Sequence, residues 1–341
     1  MADSNAHAVA EAIASRDLNN LYLASLFFTD HEKYKAFCAY YALMRVVDDR
    51  IDGLPTRMRL SERERRTEHE VVSAWEAGVQ SCYEGHVVPK HIVHQCGLED
   101  AQLLFDSFAA SLEVFRPPQA PWSNFFRSMH WDLDHERFDT WREFLSYAEG
   151  ASVSPTTIYL FLIASRRKGV SASLAAGFNV MECGRQLGVF AYLGHILRDL
   201  SEDLRTGDNG LIYVCGEDMK AYGVTEKLLF CDAEQGRSSE ATRRLVAELS
   251  ARARTFLASG RSSLSCLSGQ LDEDCEFILE LIVTMYERVL DKIETCSFDP
   301  MGPGHRLTPE EKEAIMKEVA DCVDFRPRLE TASRRAHNAL H

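Results

Sequence analysis

The sequence contains no Cys-x-x-Cys pair and no cysteine–histidine spacing of a zinc site, although ten cysteines are scattered through its 341 residues. Neither a structural metal nor a redox dithiol is indicated, and reduced thiols fit the scatter best. Positive charge is also scarce: 38 Lys and Arg stand against 52 Asp and Glu, a formal net charge of −14. Nucleic-acid binding depends on neutralising phosphates with basic residues, so a general polyanion-binding surface is excluded and any phosphate site must be local. The most apolar stretches, Thr156 to Ser165 and Phe277 to Leu290, fall short of the about 20 apolar residues that cross a bilayer, or are interrupted. Met1 to Asp17 carry acids and histidines instead of a basic-then-apolar leader; a cytoplasmic protein is expected, one that touches a membrane surface at most. No compelling strand run, internal repeat or Gly-x-Gly-x-x-Gly unit stands out.

What is present is helical patterning around an ordinary apolar fraction of 45%. Prolines 55, 89, 117, 118, 121, 155, 300 and 303 fall between stretches of helical periodicity. Asp30 suits an N-cap for a helix reaching Asp52, which Gly53 and Pro55 would stop. Further helices are expected near 61–84, 98–115, 139–150, 155–167, 175–205, 237–268, 272–296 and 308–323. The fold class is therefore all-α, read as a flexible N-terminus over 1–14, one helical domain over 15–325 and a basic polar tail over 326–341.

Two helix ends carry the chemistry. Along the first, Tyr34, Cys38, Tyr41, Arg45, Asp48 and Asp52 share one face, which starts aromatic and ends acidic. The stripe Phe37, Tyr40, Met44, Val47 and Ile51 beside it supplies packing. Along the second, Leu193, Leu197, Leu200 and Leu204 pack, while Tyr192, His195, Asp199 and Glu202/Asp203 turn elsewhere. Carboxylate oxygens are hard ligands for Mg²⁺, which is typically held by one or two carboxylates together with substrate phosphate oxygens. Arg45 and Arg198, one beside each motif, would help neutralise a diphosphate.

The segment Ala39-Tyr40-Tyr41-Ala42-Leu43-Met44-Arg45-Val46-Val47-Asp48-Asp49-Arg50-Ile51-Asp52 resembles the first aspartate motif of the squalene/phytoene synthase family, and Gly194-His195-Ile196-Leu197-Arg198-Asp199-Leu200-Ser201-Glu202-Asp203 resembles its second. Weaker similarity lies at Met129 to Leu133, Tyr147 to Val153, Leu211 to Val214 with Glu217-Asp218, and Tyr286 to Glu294. The resemblance implies an all-α isoprenoid synthase-type bundle around a central cavity, in which a metal-bound diphosphate leaves an allylic substrate of the C15 or C20 class. It implies Asp48, Asp52, Asp199 and Asp203 as catalytic metal ligands, with Asp49 and Glu202 as further candidates. Substrate contacts are expected from Tyr41, Arg45, Tyr192, His195, Arg198, Arg205 and Tyr213. An aromatic wall for the carbocation would draw on Tyr41, Phe37, Phe190, Tyr192 and Tyr147.

The sequence leaves that pattern at four places. Asn19-Asn20 stands where the family has a Ser-rich start, Tyr192 and His195 where it has Gln and Asn, and Leu211 where it has Arg, with Arg205 as the nearest substitute. His195 is expected to support its neighbours more than to bind metal. The implied activity is head-to-head condensation of two prenyl diphosphates with Mg²⁺, NADPH being required only for a squalene-like product. Prenyl transfer to a small aromatic acceptor, cyclisation of a single chain, and a non-enzymatic assembly role are the alternatives.

Overall fold

The computed structural model describes residues 2–16, 19–54, 60–135, 137–169, 171–205 and 212–325. Its helices are α1 (Ala2–Ala14), α2 (Asn20–Ser25), α3 (His31–Asp52), α4 (Glu62–Tyr83), α5 (Lys90–Gln95), α6 (Ala101–Val114), α7 (Ala120–Asp134), α8 (Trp141–Ala148), α9 (Ser154–Ala164), α10 (Val180–Arg205), α11 (Gly216–Tyr222), α12 (Glu226–Gln235), α13 (Glu240–Leu264), α14 (Glu273–Thr295) and α15 (Pro309–Cys322). A π-helical turn, Glu149–Val153, joins α8 to α9, and a two-stranded antiparallel hairpin, β1 (Ser165–Lys168) and β2 (Ser171–Leu174), precedes α10. The protein is all-α, as expected. The hairpin is a correction: its sequence, SRRKGVSASL, lacks apolar alternation, and it pairs through backbone around Gly169, at φ +70°.

α3 begins at Asp30, whose side chain accepts from Glu32 N, and ends at Gly53. Its stripe of Phe37, Tyr40, Met44, Val47 and Ile51 is buried. α10 also runs through the middle of the molecule, against α9, α13 and α14. Two glycines let it in: a Cβ on Gly184 would lie 2.1 Å from Thr157 Oγ1, and one on Gly188 would lie 2.6 Å from Val153 Cα.

Two expectations are corrected at the front of the chain. Within 1–14, read as flexible, Ala2–Ala14 form α1, which puts Ala6, Ala10 and Ala14 on one face with Ile13 beside them, all buried. These small side chains let α1 lie close against α3 and α6. The proline pattern is half met near 117–121: Pro117 and Pro118 fall in the break between α6 and α7, as expected, whereas Pro121 lies inside α7, because proline is tolerated in the first turn of a helix, where no intrahelical amide bond is lost. The tail over 326–341, together with Leu211 and Pro55, lies outside the described residues. Among the described residues, no helix is long and apolar enough to cross a membrane.

Candidate active site

The last turns of α3 and α10 open onto one cavity of about 650 Å³. From α3 it receives Tyr41, Met44, Arg45, Asp48 and Asp52; from α10, Phe190, Tyr192, His195, Arg198 and Asp203. Tyr213, Tyr147 and Asn20 also line it, while Leu160, Ile163, Leu279 and Val283 give it an apolar wall. The two aspartate motifs thus meet at one site, polar at one end and greasy at the other. Phe37 does not reach the cavity surface; it stacks behind Tyr41 at 5.3 Å and supports it.

On the α3 side negative charge accumulates. Burial holds the Asp48 carboxyl well above the usual range, and repulsion from Asp52, Asp132 and Asp49 adds to this; Arg45 counteracts them. Asp48 keeps some solvent contact through the cavity although protein surrounds it. Asp132 is 3% exposed and accepts a 2.9 Å hydrogen bond from the Tyr147 hydroxyl. Arg45 donates from Nε to Asp49 at 2.9 Å, so Asp49 is drawn away from the cavity. Asn19 caps α2 through its side-chain oxygen and donates its amide to the Tyr41 hydroxyl.

On the α10 side the two aspartates differ. Burial would raise Asp199, but hydrogen bonds from His195 and Arg198 outweigh it and hold its carboxyl below the usual range. His195 Nε2 lies 2.9 Å from Asp199 Oδ2, Arg198 Nε lies 2.9 Å from Oδ1, and Arg306 adds a third contact. Among the described residues no hydrogen bond covers Asp203 in this way: burial first, then the charge of Asp199, push its carboxyl up to about 6, against the weaker pull of His195 and Arg306. Glu202 pairs with Arg306 at the rim.

A divalent cation fits this donor set unevenly. Asp48 and Asp203 are hard oxygen donors whose charge the neighbours oppose, so a Mg²⁺ ion beside them would relieve that opposition. Asp199 already has three nitrogen partners, the Arg198 and Arg306 guanidiniums and the His195 ring, and binding metal there means displacing one of them. Among the described residues, three potential ligand atoms come within 4.8 Å of one another only at Asp272, Asp274 and Cys275. There the buried Lys33 ammonium, 3.0 Å from Cys275 Sγ and 3.5 Å from Asp272, already supplies the positive charge. At the cavity, oxygens from a bound diphosphate would have to complete the coordination.

Three further features were not anticipated from the sequence. Arg306 and Lys312, from the segment after α14 and from α15, line the cavity near Arg198. Lys312 is pushed down by burial and then by the Arg198 charge, which marks it as a cation facing other cations. Tyr159, on α9, lines the apolar wall. In sequence these were single residues without periodic partners, and the only available signal was the short basic spacing of Arg306 and Lys312 after Pro303. Arg205, by contrast, is not brought to the cavity: its guanidinium donates to the Ala233 carbonyl at 3.0 and 2.8 Å and ties α10 to α12.

Residues 16–312 match the family model described as squalene/phytoene synthase. The chain is 26% identical over 312 residues to a phytoene synthase of Thermus thermophilus, covering 91% of this chain and 90% of that one. It is 23% identical over 280 residues to a chloroplastic phytoene synthase of Daucus carota, covering 82% of this chain and 61% of the plant one. Among solved structures it resembles a dehydrosqualene synthase in complex with ligand, with a TM-score of 0.71 at 19% identity, covering 94% of this chain and 98% of that chain. It also resembles the squalene synthase HpnC from Alicyclobacillus acidocaldarius, with a TM-score of 0.65 at 18% identity over 86% of this chain and 95% of that one.

Proposed function

The chain belongs to the squalene/phytoene synthase family, and from that premise we propose that it is a prenyltransferase joining two allylic prenyl diphosphates head to head, with Mg²⁺ assisting loss of diphosphate. The observation that supports this most directly is one cavity lined by Asp48 and Asp52 from the first motif, Asp203 from the second, several cations and an apolar wall. A diphosphate needs the charged end, and a C15 or C20 prenyl chain needs the other.

In this reading Asp48, Asp52 and Asp203 hold the metal, with Asp199 joining if one of its cationic partners moves. When bound, Mg²⁺ neutralises the departing diphosphate as a Lewis acid. Arg45, Arg198, Arg306 and Lys312 converge on the same volume and stabilise the growing negative charge electrostatically. Tyr41, Tyr192 and Phe190 wall the adjacent space with ring faces and edges, which stabilise a carbocation and keep water from it. His195 orients Asp199 and is not itself a ligand. Arg205 has a structural role. The protein acts from aqueous solution in the cytoplasm, and transient contact with a membrane would deliver the substrate.

The test is product analysis with C10, C15 and C20 diphosphates supplied singly, with and without Mg²⁺ and NADPH. A C30 or C40 hydrocarbon from one C15 or C20 substrate is expected, formed only with divalent metal; NADPH matters only if the product is squalene-like. A product with the carbon number of its substrate would replace this reading with cyclisation, and turnover only with an added aromatic acceptor would replace it with prenyl transfer to that acceptor.

A further inference from the structure

The strap between α14 and α15, residues 296–308, brings Arg306 to the cavity. Near its start the Asp299 carboxylate accepts from Ser238 N at 2.8 Å and from the Arg243 guanidinium at 2.9 Å, which fastens the strap to the beginning of α13. Gly302 and Gly304 follow, the latter at φ +97°, so the backbone is most permissive just before Arg306. A cation delivered by such a segment needs a second anchor.

Lys292, on α14, supplies it. Its ammonium donates to the Arg306 carbonyl at 2.8 Å and to the two Glu311 carboxylate oxygens at 2.8 and 2.6 Å, three acceptors for three N–H groups. Glu311 closes the capping box of α15, where its carboxylate also accepts from Thr308 N. Lys292 thus ties Arg306 to the first turn of α15 and both to α14, without lining the cavity itself. The Arg306 guanidinium contacts Asp199 and Glu202. Those contacts cannot hold the residue through turnover, because a metal at Asp199 displaces one partner and an arriving diphosphate competes for the guanidinium. A bond to the backbone carbonyl persists whichever anion the side chain meets. Arg288, also on α14, offers a contrast: its hydrogen bonds go to Glu318 of α15 and to Asp291, neither of which lines the cavity.

We propose that Lys292 is a positioning residue for the reaction, holding the Arg306 backbone so that the guanidinium can exchange Asp199 for the substrate diphosphate without leaving the cavity. This rests on the prenyl diphosphate reading above and adds a residue outside the cavity on which substrate affinity depends.

The experiment measures diphosphate release against the concentration of the better of the C15 and C20 diphosphates, and against Mg²⁺. It compares the wild type with Lys292→Met, Lys292→Arg, Arg288→Met, Arg306→Ala and the double variant Lys292→Met/Arg306→Ala, and a melting curve of each confirms folding. Lys292→Met should raise KM for the prenyl diphosphate by about fivefold or more, as misplacing a remote support does. It should also lower the Mg²⁺ concentration giving half-maximal rate, because a looser Arg306 yields Asp199 more readily. Lys292→Arg, which can still reach a carboxylate and a carbonyl, should stay within about twofold of the wild type. Arg288→Met, which removes only an exposed ion pair, should do the same within about twofold. Added to Arg306→Ala, Lys292→Met should change KM by less than about twofold, since the group it positions is already gone. Lys292→Gln, too short to span both acceptors, replaces Lys292→Met should that variant melt early. An unchanged KM in a folded Lys292→Met enzyme, an equal rise in Arg288→Met, or the full Lys292→Met effect in the Arg306→Ala background overturns the assignment. No diphosphate release from any prenyl diphosphate by the wild type overturns the prenyl diphosphate reading instead.

Discussion

At the scale of single residues, the aspartates of the two motifs are not equivalent. Asp48 sits where burial and three other carboxylates oppose its charge, so it gains most from a cation. Asp49 is held by Arg45 outside the cavity. Asp48→Asn should therefore lower kcat by about 10²- to 10³-fold, the usual cost of losing one preorganised electrostatic contact, whereas Asp49→Asn should cost less than about tenfold; steady-state rates at saturating Mg²⁺ check this. Arg306→Ala removes a cation from Asp199 and from the cavity together. Its KM for the prenyl diphosphate should rise, and Asp199 should become easier for metal to reach, so the Mg²⁺ concentration giving half-maximal rate should fall. The aspartates and Arg45 were legible in sequence because helical spacing puts them on one face. Arg306 and Lys312 were not, because one cation among 38 Lys and Arg carries no pattern until the fold brings it to the cavity.

At the scale of elements, the π-helical turn Glu149–Val153 is where sequence reading stopped short. The segment was recognised by resemblance, but its geometry depends on contacts that periodicity does not report. The turn widens the helix so that Ala151 and Ser152 line the cavity, and Ser152 Oγ donates to the Gly188 carbonyl at 2.9 Å. Gly150 packs against α7 so tightly that a Cβ would lie 2.2 Å from the Asn124 carbonyl oxygen and 2.4 Å from Ser128 Oγ. Backbone cannot yield as a flexible side chain would. Gly150→Ala should destabilise by about 1–3 kcal/mol, the range for overpacked cores, and Gly188→Ala, facing Val153 Cα, should do the same. Denaturant melts compare them with Gly85→Ala, a position with open space where only the positive φ is at stake. The long helices α3, α10, α13 and α14 were visible because each carries an apolar stripe over many turns; α1 and α7 were hidden by small side chains and by prolines that mark a helix start as readily as a break.

At the scale of the whole molecule, the site is built against stability, and that makes its state readable by melting. Asp203 has its carboxyl raised to about 6 by burial and by Asp199. A carboxyl raised in the folded state binds more protons there than when unfolded, so its contribution to stability falls as pH rises from the unfolded value of about 3.9 through the folded one and is level above that. Asp203→Asn removes this term. The variant should thus match or trail the wild type near pH 4 and become the more stable of the two by pH 7, while losing turnover, a trade between activity and stability found where charges are gathered for function. Mg²⁺ together with inorganic pyrophosphate should raise the wild-type melting temperature at pH 7 more than either alone, since the cation offsets the charge of the carboxylates and the pyrophosphate alike and the pyrophosphate oxygens complete its coordination. In Asp203→Asn that joint increment should shrink. Melting curves from pH 4 to 7, with and without the two ligands, decide the matter: an Asp203→Asn protein that gains nothing on the wild type as pH rises would mean that the folded protein does not oppose charge at position 203.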